Sequence, residues 1–201
     1  MLKGKKLYAV IGIVAALVAF WITIRSLHQE RINLAETYDE RQALPLRLQF
    51  ESDLDRVVLA PHYILTATVD LQTNTVSGKM DLHITNRSDD VLRALIFRLY
   101  PNADSIYGGG NMILDRVVED NVLLDVAYTQ DSTVAEVTLD APLEPDAATN
   151  VTFAFAAQVP GNLRQGYGIF AHTGGVLSLA GWYPILAPYE SESGWQTPAV
   201  P

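Results

Sequence analysis

Four histidines, His28, His62, His83 and His172, are the residues best suited to metal or proton chemistry in this chain. A zinc site needs two or three of them to converge, and the helical HExxH spacing is absent. His62 follows Pro61 at the start of an alternating run, His83 lies on the polar face of another, and His172 sits among glycines. Each reads as a surface or loop histidine, and His28 belongs to a polar spacer. Gly166-Tyr167-Gly168-Ile169-Phe170-Ala171 has the spacing of a dinucleotide fingerprint. That mechanism needs a strand before it and a helix after it, so that the helix N-terminus meets pyrophosphate. Pro160-Gly161 precedes and His172-Thr173-Gly174-Gly175 follows, which supports neither element. Gly108-Gly109-Gly110 lacks the Lys and Ser/Thr of a phosphate loop, and Ser178 lacks the glycines of a nucleophile elbow. Asn86-Arg87-Ser88 and Asn150-Val151-Thr152 have the form of glycosylation acceptors and equally of turns. The carboxylates are scattered. No catalytic set and no metal set is expected, and the absence of cysteine rules out disulfides and thiolate ligands.

The elements that would position such residues are mostly strands. Tyr63, Leu65, Ala67 and Val69 alternate with polar residues over 62–70, and Val76, Gly78, Met80, Leu82 and Ile84 do so over 76–85. Leu92–Leu99 is apolar on both faces, as a central strand would be. Met112–Val118 and Val122–Tyr128 read as a hairpin around Glu119-Asp120-Asn121, followed by strands over 133–139 and 151–157. Seven short strands with turn residues between them imply a mainly β, antiparallel sandwich or saddle, and the short loops imply a meander.

The last quarter, 161–201, holds two of the three tryptophans, four of the ten prolines and seven of the 13 glycines. Such a segment turns repeatedly, yet its aromatic residues are too apolar for a solvated linker. It is expected to form a packed, irregular surface.

At the other end, Leu7–Ile24 is a run of 18 residues without a charge. As a helix it covers about 27 Å, close to the hydrocarbon thickness of a bilayer. Lys3, Lys5 and Lys6 precede it and Arg25 closes it, with no small-residue cleavage site, so an uncleaved anchor is favoured over a signal peptide or a buried helix. The implied order is a cytoplasmic tail at 1–6, a transmembrane helix at 7–25 and a juxtamembrane helical spacer at 26–45, with a coiled coil as an alternative for the spacer. The β domain at 46–160 and the packed segment at 161–201 then lie outside the cytoplasm. Four of the 14 basic residues lie at or before Arg25, leaving ten against 23 acidic ones, a net charge of −13. Such a domain repels phosphates, which excludes a nucleic-acid partner.

Two stretches carry a family resemblance. Val76-Ser77-Gly78-Lys79-Met80, Ile84-Thr85-Asn86 and Leu95-Ile96-Phe97-Arg98-Leu99-Tyr100-Pro101-Asn102 resemble the amino-terminal β domain of M1-type zinc aminopeptidases. The segment from Leu179 to Glu190 is similar to that family's Phe-Pro-x-x-Asp-x-Pro turn. Tyr167–Ala171, Gly181-Trp182-Tyr183-Pro184 and Gly194-Trp195 resemble its membrane-anchored bacterial members, so the likeness spans about 57–201. It implies a β domain packed on a thermolysin-like domain in which HExxH and a downstream Glu bind zinc, the metal activates water and the HExxH glutamate is the base. None of those residues is present, so zinc is expected only in a longer parent whose catalytic domain packs on 161–201. The family's amine-binding Gln or Glu, some nine residues before the turn, falls on Gly175, between Gly174 and Val176; aminopeptidase specificity loses its support there. Ending at Pro201, the chain is expected to be a fragment that leaves its terminal aromatics as an exposed apolar patch. A standalone membrane-tethered β-sandwich used for binding or adhesion is the alternative.

Overall fold

The computed structural model describes residues 60–104, 107–161 and 168–200. The expected anchor at 7–25 and spacer at 26–45 lie outside the described residues, among which no helix is long and apolar enough to cross a membrane. The chain is mainly β: β1 (His62–Asp70), β2 (Thr75–Thr85), β3 (Leu92–Arg98), β4 (Asn111–Glu119), β5 (Val122–Leu123), β6 (Val126–Thr129), β7 (Val134–Leu143), β8 (Ala148–Gln158), β9 (Phe170–Thr173), β10 (Val176–Leu179), β11 (Ile185–Leu186), β12 (Tyr189–Glu190) and β13 (Gly194–Trp195). A 3-10 turn, Tyr100–Asn102, follows β3.

Two antiparallel sheets form, in the orders β1-β2-β8-β4-β5 and β11-β3-β7-β6, with β9–β10 and β12–β13 as separate hairpins. The expected meander is therefore corrected: β2 and β4 both pair with β8, and β3 pairs with β7. The reason lies in β3. Leu95, Phe97 and Leu99 are buried on one face while Ile96 and Arg98 are buried on the other, so β3 needs neighbours and cover on both sides. The chain accordingly passes from sheet to sheet between β2 and β3, β3 and β4, β5 and β6, and β7 and β8.

The expected strand over 122–128 is also split. Asp120 and Asn121 adopt φ of 45° and 70°, a two-residue turn that pairs Glu119 with Val122. Leu123 and Leu124 then follow each other, and one strand cannot send both to the same face. The chain crosses to the second sheet, burying Leu124 and leaving Leu123 exposed, and β6 pairs with β7. At the bulge in β4 between Leu114 and Arg116, the Leu114 N–H donates to the Tyr128 hydroxyl of the opposite sheet at 3.0 Å.

The last segment closes the flank between the sheets. β11 extends β3, pairing Ile185 with Arg98 and Leu186 with Phe97. Leu186 N–H donates to the Tyr63 hydroxyl of β1 at 3.3 Å, and Tyr63 meets Tyr183 edge to face at 5.9 Å. Trp182 lies 5.4 Å from Tyr183 and 6.1 Å from Phe155. The expected exposed aromatic patch is thus corrected: Trp182, Tyr183, Tyr189 and Trp195 are half-buried against the domain's own sheets. Among the described residues the large apolar side chains most open to solvent are Val176 within this segment and Leu123, Ile64 and Leu71 outside it.

Burial raises the Tyr63 hydroxyl above its ordinary 10.0, reinforced by Tyr183 and opposed by the Leu186 hydrogen bond. The unfolded tyrosine ionises first, so the Tyr63 contribution to stability is unchanged below about pH 10 and is lost as pH rises above that value. Tyr63→Phe should flatten this alkaline loss, without abolishing it, because Tyr107 and Tyr189 are raised too. Urea titrations between about pH 8 and 11 would read the slope.

Asn86 shows why one sequon is a turn. It is 2% exposed, and its Nδ2 donates to the Asp90 carbonyl at 2.7 Å and the Leu143 carbonyl at 2.9 Å. Its Oδ1 accepts from Ser88 N–H at 3.0 Å and Ser88 Oγ at 2.7 Å. With Nδ2 engaged and buried, the folded chain offers no acceptor nitrogen to a glycan. Asn86→Ala should cost about 1–3 kcal/mol by stranding buried carbonyls. Asn86→Asp should cost at least as much, since a carboxylate cannot donate to either one; thermal unfolding reads both.

Candidate functional site

Among the described residues, the side chains singled out for chemistry do not assemble, and His28 lies outside them. His62 and His83 are cross-strand partners between β1 and β2, and His83 Nδ1 is 2.9 Å from Asn150 Oδ1. His172 Nδ1 is 2.7 Å from Asn74 Oδ1 in the β1–β2 turn. Asn74 and His83 are nine residues apart along β2, roughly 30 Å of strand, so the three histidines do not converge. Among the described residues no group of three or more His, Cys, Asp or Glu could hold a metal ion. Ser178 Oγ donates to the Ile169 carbonyl at 2.7 Å, a structural contact.

Gly166 and Tyr167 of the dinucleotide-like motif lie outside the described residues. Phe170 and Ala171 open strand β9, so no helix follows the dinucleotide-like spacing. Gly174 and Gly175, with φ of 61° and 77°, are the two-residue tip joining Thr173 to Val176. A Cβ on Gly175 would touch nothing within 4 Å, so this position faces open space. A Cβ on Gly109 would come 2.6 Å from Asp104 Oδ1, so that loop is folded around a carboxylate and does not present a cradle for an anion. Glu119 is a buried acid, 9% exposed, but it accepts hydrogen bonds from Thr149 Oγ1 and from Asp140 N–H at 3.1 Å. It ties β4 to β7 and β8.

Arg98 is different. It ends β3 on the same face as Ile96, is the cross-strand partner of Val134, and is 4% exposed. Ala187 and Trp195 cover Ile96 and Val134 beside it. Its guanidinium carbon stands 5.2 Å from the centroid of Tyr100, which stacks on Tyr107 at 5.3 Å and 21°. Gly181 fits against this stack; a Cβ there would come 3.1 Å from Tyr100 Cβ. Burial lifts the Tyr107 hydroxyl above its ordinary 10.0, Tyr100 adds to that, and the Arg98 charge pulls the other way. Arg98 Nε is buried with no hydrogen-bond partner, and the ion pairs Lys79–Asp81 and Arg87–Asp146 leave Arg98 without a carboxylate among the described residues. Sequence reasoning quoted Arg98 only as part of a motif. The available signal was a lone cation inside a run that is apolar on both faces.

The solved structures supply a comparison. Part of this chain is similar to M1 zinc metallopeptidases. The structure of the enzyme from Deinococcus radiodurans matches 49% of this chain and 20% of its own, at 18% identity and a TM-score of 0.38. A mutant of that enzyme bound to a Tyr-Ser-Ala substrate matches the same shares at 17% identity and a TM-score of 0.38. The matched stretch is thus about a fifth of those chains. No protein-family model matches this chain, and no curated protein does.

Proposed function

We propose that these residues are the non-catalytic β domain of a membrane-anchored, M1-like zinc metallopeptidase, tethered through 7–25 outside the cytoplasm. The observation that carries the reading is the meeting of the two stretches that resemble that family. Arg98 and Tyr100, from the Leu95–Asn102 stretch, lie against Ile185 and Gly181 of the late one. Asn102 of the first stretch locks its 3-10 turn by donating to the Met112 carbonyl at 3.0 Å and the Ser132 carbonyl at 2.6 Å.

The described residues do not fit zinc: no group of three or more His, Cys, Asp or Glu among them could hold a metal ion, and His172 is held by Asn74, away from the His62–His83 pair. In this reading the β domain contributes no step of peptide-bond hydrolysis. Its part is to support a catalytic domain packed on 161–201, with zinc held there and Gly175 offering no side chain to a substrate amine. Two measurements test this. Purified chain should not hydrolyse a leucyl anilide, and activity with stoichiometric zinc would refute the silent role. The coding sequence beyond codon 201 should continue in frame to an HExxH.

A standalone binding module is the second reading. It is favoured by the way Trp182 and Tyr183 pack on Phe155 and Tyr63 of the same domain. A stop codon directly after codon 201 in every isolate would select it.

A further inference from the structure

Among the described residues no carboxylate answers the charge of Arg98. A guanidinium cannot shed its proton inside a protein, so burial leaves it charged and stripped of water. The face of Tyr100 offsets part of that loss, but a ring accepts no directed hydrogen bond of ordinary strength. Nε is buried without an acceptor. Neither terminal nitrogen donates a hydrogen bond to the described residues, and Arg98 as a whole is 4% exposed. Asp104, the nearest acid in sequence, is exposed and forms no ion pair with it.

The surroundings are rigid. Arg98 is held in a ladder on both sides, by Val134 and Ile185, and Tyr100 belongs to a 3-10 turn braced by Asn102. A side chain of similar volume without charge, such as Met, would fill the place at no electrostatic cost. We propose that Arg98 marks a binding site for a carboxylate, which pairs with the two terminal nitrogens of its guanidinium beside the Tyr100–Tyr107 ring stack. The forked donors match a planar carboxylate in a bidentate pair. A single cation in a chain of net charge −9 neutralises a monoanion and leaves a phosphate dianion with excess charge. The inference stands on Arg98 and its neighbours and does not depend on the zinc-peptidase reading.

The test uses the full 201-residue chain in detergent and compares thermal unfolding in sodium acetate, sodium phosphate and sodium chloride of equal ionic strength. A short glutamate-containing peptide and its glutamine counterpart form the other arm. Acetate or the glutamate peptide should raise Tm by roughly 3 °C or more over chloride. A response to acetate identifies a site open to small carboxylates. A response to the glutamate peptide alone identifies a carboxylate presented by a polypeptide.

Arg98→Met should unfold at a higher temperature than wild type in chloride and lose the carboxylate response. Arg98→Lys, which keeps the charge and loses the fork, should bind at least tenfold more weakly. If Arg98→Met fails to fold, the Arg98 Nε–H resonance of the wild-type chain should shift with carboxylate and stay fixed with matched chloride. No response to either carboxylate, a response to phosphate alone, or an undiminished response in Arg98→Met overturns the proposal.

Discussion

Phe153→Ala is expected to remove about 3–5 kcal/mol of stability, the range for deleting a large buried ring. Phe153 of β8 and Phe97 of β3 are both 0% exposed, and their rings meet edge to face at 4.7 Å, one sheet against the other. β8 is flanked by β2 and β4, where the partners of Phe153 are Met80 and Val117, each almost wholly buried. Ladders on both sides hold the strand, so the walls of the cavity cannot collapse inward, and the cost should sit high in that range. Against a domain stability of about 5–15 kcal/mol, one such change removes a large fraction. Phe97→Ala should act similarly. The double variant should lose less than the sum, because the edge-to-face pair contributes about 0.5–1.5 kcal/mol that can be lost only once. Urea titration with an unchanged m value is the measurement. A loss under about 1 kcal/mol would show that the two sheets do not share this core.

Much of this core was legible because its strands alternate. β2 buries Val76, Met80, Leu82 and Ile84 and leaves Ser77, Lys79, Asp81 and His83 exposed or half-buried, so period two named both the element and its inner face. Pairing was not legible. The same inner faces satisfy a meander or the observed crossings, and the choice rests on β3, whose second face is covered by Ala187 and Trp195 from 90 or so residues later. Consecutive Leu123 and Leu124 looked like the apolar middle of a strand, and only the two sheets together show the crossing. The Gly174-Gly175 turn was a readable hairpin signal between 170–173 and 176–179, hidden by the density of glycine and proline around it.

Among the described residues no group of three or more His, Cys, Asp or Glu could hold a metal ion. Arg98 was missed for a physical reason. A strand pattern gives the face on which a cation lies, but whether that cation is buried depends on what folds over it, and the cover is the irregular terminal segment. The same limit applies to Trp182 and Tyr183. Their apolarity required a surface to pack on, and nothing local distinguished the domain's own flank from a neighbour's.

Gly78→Ala sets two effects of opposite sign against each other, and the structure decides which wins. Taken alone, replacing a strand glycine by alanine should stabilise by about 0.5–1 kcal/mol, since glycine loses more freedom on folding. Gly78 of β2, however, is the cross-strand partner of Phe155 of β8, and the ring lies over its backbone. A Cβ there would stand 2.2 Å from Phe155 Cζ, with Cε1 and Cε2 at 2.7 and 2.8 Å. Phe155 is 1% exposed and has Trp182 6.1 Å away, so the ring has no void to enter. Overpacking of this kind costs about 1–3 kcal/mol, more than the entropic gain, and net destabilisation is expected. The displacement should also reach the flank, because Trp182 contacts Tyr183 and Tyr183 contacts Tyr63, so tryptophan fluorescence should change together with stability. Adding Phe155→Leu to Gly78→Ala should recover part of the loss, a coupling of at least about 0.5 kcal/mol between residues in contact. If Gly78→Ala is neutral or stabilising, the ring does not rest on the glycine. The aromatic closure running from Phe155 to Tyr63 would then have to be rebuilt from different contacts.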